Sequence, residues 1–210
     1  MTQDEWERGI ARADLCRFLA ACYYQPGPEF AEEKMFDSMR AAASRVAPDF
    51  EERVRRMGDA FMTEDREALL VDYTRLFLGP VDTLAKPYGS AWLGGQQALM
   101  QDSTVAVEQL YEEGGFAIDE GFHELPDHVA AELEFLYLLI FRDTDAQRNG
   151  DLESANMMTA LRQRFLAEHL GAWIGPFSNA VESGAQTGFY RELAALAARF
   201  VTQEANADRH

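Results

Sequence analysis

Several things are scarce in this 210-residue chain, and each scarcity excludes something. It has two cysteines, Cys16 and Cys22, six residues apart in one helical pattern. That spacing does not bring them together, so the expectation is two buried free thiols in a reducing compartment, not a disulfide. Long apolar runs are missing: the longest, Phe135 to Phe141, is far too short to span a bilayer. The first residues are charged and lack the apolar core of a secretory signal, which points to the cytoplasm. No stretch sustains a period of two, so no sheet is expected. Glycine-rich phosphate loops are lacking too, since Gly94-Gly95 and Gly114-Gly115 follow no strand and have no nearby lysine. No nucleophile elbow occurs and neither cysteine sits in a reactive motif, which favours a binding protein over an enzyme.

Basic residues are scarce in a localised way. From Pro87 to Phe141 there is no Lys or Arg, while ten acids stand there: Asp102, Glu108, Glu112, Glu113, Asp119, Glu120, Glu124, Asp127, Glu132 and Glu134. The whole chain carries a formal charge of −17. Nucleic acid and anionic membranes repel such a protein. Surfaces that serve only solubility mix both signs, so the stretch is expected to face a cationic partner.

What is present is helical spacing. Phe50, Val54, Met57 and Phe61 fall on one helix face, as do Phe189, Leu193, Leu196 and Phe200. Leu15, Phe18, Leu19 and Cys22 form another stripe, and so do Leu69, Tyr73, Leu76 and Phe77. The breaks follow turn chemistry. Gln25-Pro26-Gly27-Pro28 ends the first helix, Pro48 opens a helix, Gly79-Pro80 ends one, and Asn149-Gly150 separates two. Ser103 reads as an N-cap for a helix stopping at Gly114-Gly115, and Pro126 as the opening of the next. That next helix is apolar all round after Glu134, so it is expected to be enclosed by others. The result is an all-α fold of about nine to eleven helices, one domain over residues 1–205, and a frayed tail over 206–210.

Two longer stretches, Leu78 to Gln101 and Gly114 to Leu125, are expected to be functional loops. They carry Tyr88 and Trp92 in the first, and Phe116 and Phe122 in the second. The acidic sector bordered by these aromatics suits a segment that is basic and then apolar. Glu124, Asp127, His128 and Glu132 also allow a metal reading, as a helical hydrolase or oxidase, because His128 and Glu132 are four apart on one face. The second Glu-x-x-His of a di-iron bundle is missing. No cofactor or resident metal is therefore expected. Trp6 and Trp173 read as packing groups.

In order along the chain stand Cys22-Tyr-Tyr-Gln-Pro26, Tyr73-Thr-Arg-Leu-Phe-Leu-Gly-Pro80, Pro87-Tyr-Gly-Ser-Ala-Trp-Leu93 and Asp102-Ser-Thr-Val-Ala-Val107. Glu124-Leu-Pro-Asp-His128, His169-Leu-Gly-Ala-Trp173 and Phe189-Tyr-Arg-Glu-Leu193 follow. Together these resemble the TorD/DmsD/NarJ family of redox-enzyme maturation chaperones over nearly the whole chain. The resemblance implies an all-α fold of that family's own type. It implies a non-enzymatic chaperone that binds the twin-arginine signal peptide of a molybdenum or tungsten oxidoreductase subunit and assists cofactor insertion before export. By position, it puts signal binding on Tyr23, Tyr73, Leu76, Phe77, Tyr88, Trp92, Asp127 and His128, with Glu124 among the neighbouring acids. Contact with the mature part of a molybdopterin oxidoreductase subunit, and a monomer or helix-exchanged dimer, are further implications. The chain departs from the family pattern in placing Pro126 beside Asp127, and in having Tyr73, Val81 and Tyr88 where DmsD-like members carry tryptophan.

Overall fold

The computed structural model describes the chain except residues 29, 31–33, 80–82, 94–98, 119–120, 122 and 208–210, and the side chains of 99–101. Pro80, Val81, Gly94, Gly95, Asp119, Glu120 and Phe122, named above, lie outside the described residues. Everything described is helix or connection, with one isolated β-bridge and no strand.

The helices are α1 (Gln3–Cys22), α2 (Met35–Val46), α3 (Pro48–Thr63), α4 (Arg66–Tyr73), α5 (Ser90–Leu93), α6 (Leu99–Glu113), α7 (Val129–Asn149), α8 (Leu152–Glu168), α9 (Leu170–Gly184) and α10 (Gly188–Asn206). A π-helical segment, Thr74–Leu78, continues α4. The ends follow the sequence chemistry. Thr2 and Glu5 make a reciprocal capping box at the start of α1. Pro48 occupies the first turn of α3. Gly150 stops α7 at φ 76°, which favours glycine. Two boundaries differ from the sequence expectation. Ser103 lies inside α6, four residues past its start at Leu99. Pro126 precedes α7 by three residues, for a reason given below.

The helices pack as a closed circuit. α7 lies on α1, α1 on α2, α2 on α3, α3 on α10, α10 on α9, α9 on α8, and α8 returns to α7. The stripes read from sequence face inward: Phe50, Val54 and Met57 of α3 and Leu193, Leu196 and Phe200 of α10 are all fully buried. Phe50 meets Phe200 edge-on at 6.3 Å. Full burial of such side chains contributes roughly 1.5–3 kcal/mol each. The centre of the molecule is an aromatic cluster in which Tyr23, Tyr73, Phe77, Phe177 and Tyr190 touch ring to ring. Cys16 and Cys22 are buried free thiols.

The expectation that α7 is enclosed on every side is corrected. Phe135, Leu136, Leu139 and Ile140 are fully buried, but Tyr137 and Leu138 are half-buried and Phe141 is exposed. Arg17 of α1 lies over the outward ring of Tyr137 at 6.0 Å, which partly shields this apolar surface. Among the described residues, no helix is long and apolar enough to cross a membrane.

Candidate functional site

Three segments converge where α7 begins: the end of α1, the 87–93 stretch, and the connection from α6. Their join is a backbone one. Tyr88 and His128 form an antiparallel bridge. Val129 N donates to Pro87 O at 2.8 Å, and Gly89 N donates to Asp127 O at 2.9 Å. These pairings hold His128 extended, so the helix cannot start at Pro126 and opens at Val129 instead. Tyr111 of α6 fixes the connection by donating its hydroxyl to Pro126 O at 2.8 Å.

His128 is the N-cap of α7, and its Nδ1 accepts from Ala130 N at 3.2 Å. The imidazole is flanked by two tyrosines: Tyr24 stacks on it at 6.4 Å, and Tyr88 meets it edge-on at 5.4 Å. Each tyrosine donates to a glutamate. Tyr88 reaches Glu124 Oε2 at 2.5 Å, and Tyr24 reaches Glu134 Oε1 at 2.8 Å. Burial lowers the His128 pKa to about 4, against a smaller upward pull from Glu124 and Asp127, so the ring is neutral at neutral pH. Burial raises the phenols of Tyr24, Tyr73 and Tyr88, with Glu134 adding to it at Tyr24 and Glu124 at Tyr73 and Tyr88.

Beneath this layer lie two buried acids. Asp127 is 1% exposed and its Oδ2 accepts from Ser90 N at 2.7 Å, which caps the short helix α5. Glu132 has no exposed surface and accepts from Trp173 Nε1 at 2.9 Å. Burial pushes the Glu132 carboxyl well above the usual range, so it is neutral. Asp127 Oδ1 and Glu132 Oε1 have no hydrogen-bond partner among the described residues. Gly89 fits over this pair because it has no side chain: a Cβ there would stand 2.9 Å from Trp173 Nε1 and 3.1 Å from Glu132 Oε1.

Beside the α7 start opens a cavity of about 410 Å³ lined by Tyr24, Phe116, Ala117, Ile118, Gly121, Ala131 and Glu134. Phe116 is held by ring contacts to Tyr111 and Phe135 at 5.0 and 5.8 Å. The cavity is an apolar cleft with a carboxylate in its wall.

The nine residues assigned to binding from the sequence fall into three depths. Glu124 is exposed, and Tyr88 and Trp92 are half-buried. Tyr73, Asp127 and His128 lie just under them, each no more than 9% exposed. Tyr23, Leu76 and Phe77 belong to the central core. Of the adjacent pair Tyr23-Tyr24, it is Tyr24 that stands at the site. The sequence could have shown this: Tyr23 continues the Leu15, Leu19, Cys22 stripe and Tyr24 leaves it. Glu134 and Trp173 were also not singled out as site residues. Glu134 opens an apolar run that looked wholly internal, and Trp173 is distant in sequence.

The acidic stretch is likewise layered. Asp102, Glu108, Glu112 and Glu124 are exposed, whereas Asp127 and Glu132 are buried, and Glu113 pairs with Arg164 from α8. The metal reading is corrected. Glu132 points inward to Trp173, Glu124 points outward to Tyr88, and His128 Nδ1 is engaged by backbone. Among the described residues, no three His, Cys, Asp or Glu side chains are placed to share an ion.

A family model described as "Nitrate reductase delta subunit" matches residues 43–179. "Chaperone protein TorD" of Vibrio parahaemolyticus is 29% identical over 132 residues, which is 63% of this chain and 60% of that protein. The protein of the same name from Photobacterium profundum is 28% identical over 182 residues, covering 84% of this chain and 82% of its own. "Tat proofreading chaperone DmsD" of Salmonella typhimurium is 31% identical over 137 residues, 65% of this chain and 60% of that protein. The chain thus spans about 60% of the length of two of these three relatives. A crystal structure of a candidate redox enzyme maturation protein from Archaeoglobus fulgidus has the same fold, with a TM-score of 0.54 at 22% identity over 90% of this chain and 92% of that one.

Proposed function

The chain belongs to the nitrate reductase delta subunit family, and we propose that it is a redox-enzyme maturation chaperone that binds the twin-arginine signal peptide of a molybdenum or tungsten oxidoreductase subunit in the cytoplasm, before export. The observation that carries this reading is Glu124, an exposed carboxylate oriented by Tyr88 within a stretch that has no basic residue of its own. A carboxylate already held by a phenol takes a guanidinium through charge-assisted hydrogen bonds at little further ordering cost.

The apolar part of the peptide finds Trp92, half-buried, and Leu84 and Leu125, each about half exposed at 48% and 52%. Trp92 is set by its indole N–H, which donates to Lys86 O at 2.8 Å, and by Phe177 behind it at 6.2 Å. Asp127 acts through position: it caps α5 and so keeps Trp92 beside Tyr88. His128 fixes the start of α7 and touches both tyrosines of the two tyrosine–glutamate pairs. Nothing in this arrangement calls for bond chemistry; the work is recognition and retention.

Isothermal titration with a synthetic twin-arginine signal peptide tests the reading. One-to-one binding is expected, and Glu124→Gln should weaken it by about tenfold, the loss of one charge-assisted bond. Binding that is equal for the same peptide with both arginines replaced by alanine would overturn it.

A further inference from the structure

Several buried or partly buried carboxylates elsewhere in the molecule are matched with arginine. Glu204 pairs with Arg12, Glu192 with Arg53 and Arg56, and Asp143 with Arg162. Glu134 is not: its hydrogen-bond partner is the neutral Tyr24 hydroxyl, and no cation among the described residues pairs with it. It stands half-buried in the wall of the 410 Å³ cavity, and burial raises its pKa, against the Tyr24 bond. The other walls, Phe116, Ile118 and Ala131, are apolar. A carboxylate at the wall of an apolar slot is the complement of a side chain with an aliphatic stem and a cationic head.

The second observation is the pairing at His128. Tyr24, bonded to Glu134, stacks on the imidazole, and Tyr88, bonded to Glu124, meets it edge-on. Successive side chains of an extended peptide point to opposite faces. Two adjacent arginines therefore cannot share one pocket; they need two seats, and the two tyrosine–glutamate pairs that meet His128 supply two carboxylates.

We infer that the cavity at Glu134 is a second guanidinium seat, so that one arginine of the pair enters it while its neighbour takes Glu124. The inference rests on the signal-peptide reading and adds to it a specificity pocket. Phe116 lines the seat, and a planar guanidinium packs against an aromatic ring better than an ammonium does. The seat therefore selects arginine over lysine at one of the two peptide positions.

A double-mutant cycle on the full chain decides this, using four synthetic peptides: Arg-Arg, Ala-Arg, Arg-Ala and Ala-Ala. Glu134→Gln and Glu124→Gln are each expected to weaken the Arg-Arg peptide about tenfold. Glu134→Gln should have no further effect on the peptide that lacks the arginine it seats, and should still weaken the other; Glu124→Gln should show the reciprocal pattern. Unchanged affinity of Glu134→Gln for all four peptides, with Glu124→Gln still impaired, overturns the second seat and leaves the parent reading intact. Wild-type protein that does not distinguish Arg-Arg from Ala-Ala overturns both. Phe116→Leu keeps the carboxylate and covers the case in which Glu134→Gln does not fold. It should narrow the preference for Arg-Arg over a peptide with lysine at the seated position, and a preference equal to wild type overturns the seat.

Discussion

A carboxyl group with no exposed surface, like that of Glu132, is stable in the fold only when neutral. Its folded pKa lies above its unfolded value, so its proton favours the folded state. Its contribution is complete below the ordinary carboxylate pKa and is lost as pH rises toward the folded one. Glu132→Gln keeps an acceptor for Trp173 and has no proton to lose. It should melt higher than wild type at pH 7 and lose that part of the pH dependence. Glu132→Ala should cost roughly 1–3 kcal/mol, because it leaves the indole N–H buried and unpaired. His128 acts in the opposite sense. Its pKa falls to about 4 from an ordinary 6.5, so its contribution is complete above pH 6.5 and is lost as pH falls toward 4. The shift corresponds to about 3 kcal/mol. His128→Asn preserves an N-cap acceptor and should flatten acid unfolding over that window in a melting series. Between about pH 4.5 and 6.5 the two slopes oppose each other in the wild type, so each shows clearly only when the other group is removed. The Glu132 role was not legible in the sequence, whereas an imidazole satisfying donors at the helix start was one reading of His128 and is what it does. The cap position itself was not legible, because the helix start is set by a bridge to residue 88, forty positions earlier.

At the scale of elements, α10 is capped by residues far from it in sequence. Thr187, its N-cap, makes no side-chain cap bond of its own. Asp72 Oδ2 accepts instead from Gln186 N, Thr187 N and the Thr187 hydroxyl at 2.9, 2.8 and 2.7 Å, and Glu64 Oε1 accepts from Gly188 N at 2.6 Å. Two carboxylates thus meet the positive end of the helix. Asp72→Ala should lower stability by about 3 kcal/mol, read as a fall in denaturation midpoint with unchanged slope. The apolar stripes of α3 and α10 were readable because 3.6-residue spacing is local. The cap was not, because its partners come from α3 and α4. Nor was the π-helical turn at 74–78, since Leu69, Tyr73, Leu76 and Phe77 fit an ordinary helix. That turn shows in the bonding: Gly79 N reaches Thr74 O at 2.8 Å, while Leu76 O accepts from Ala85 N at 2.9 Å on the returning chain.

Across the whole molecule, the formal charge of −17 sets how a partner is met. Peptide binding should weaken as salt is raised from 0.05 to about 0.5 M, most steeply for the Arg-Arg peptide, because exposed carboxylates are screened over about 10 Å at 0.1 M. Titrations at a series of salt concentrations check this; a slope independent of the number of arginines would contradict it. The base-free stretch was visible in the sequence as a run of letters, and the expectation of a cationic partner rests on it. Its division into an exposed rim and a buried floor was not visible, because depth depends on how α1, α6 and the 87–93 stretch close over α7.

The circuit of helices also constrains how the chain is made. α3 rests on α10, and Arg12 of α1 holds Glu204 of α10 across 192 positions. A ribosome delivers the first of these partners long before the last. Until residues 188–206 have emerged, the Phe50, Val54 and Met57 face lacks its partner from α10. The nascent chain therefore waits, at roughly 5–20 residues per second, for some ten seconds or more with a greasy strip partly bare. The chain would thus depend on shelter of its own until its last helix is made.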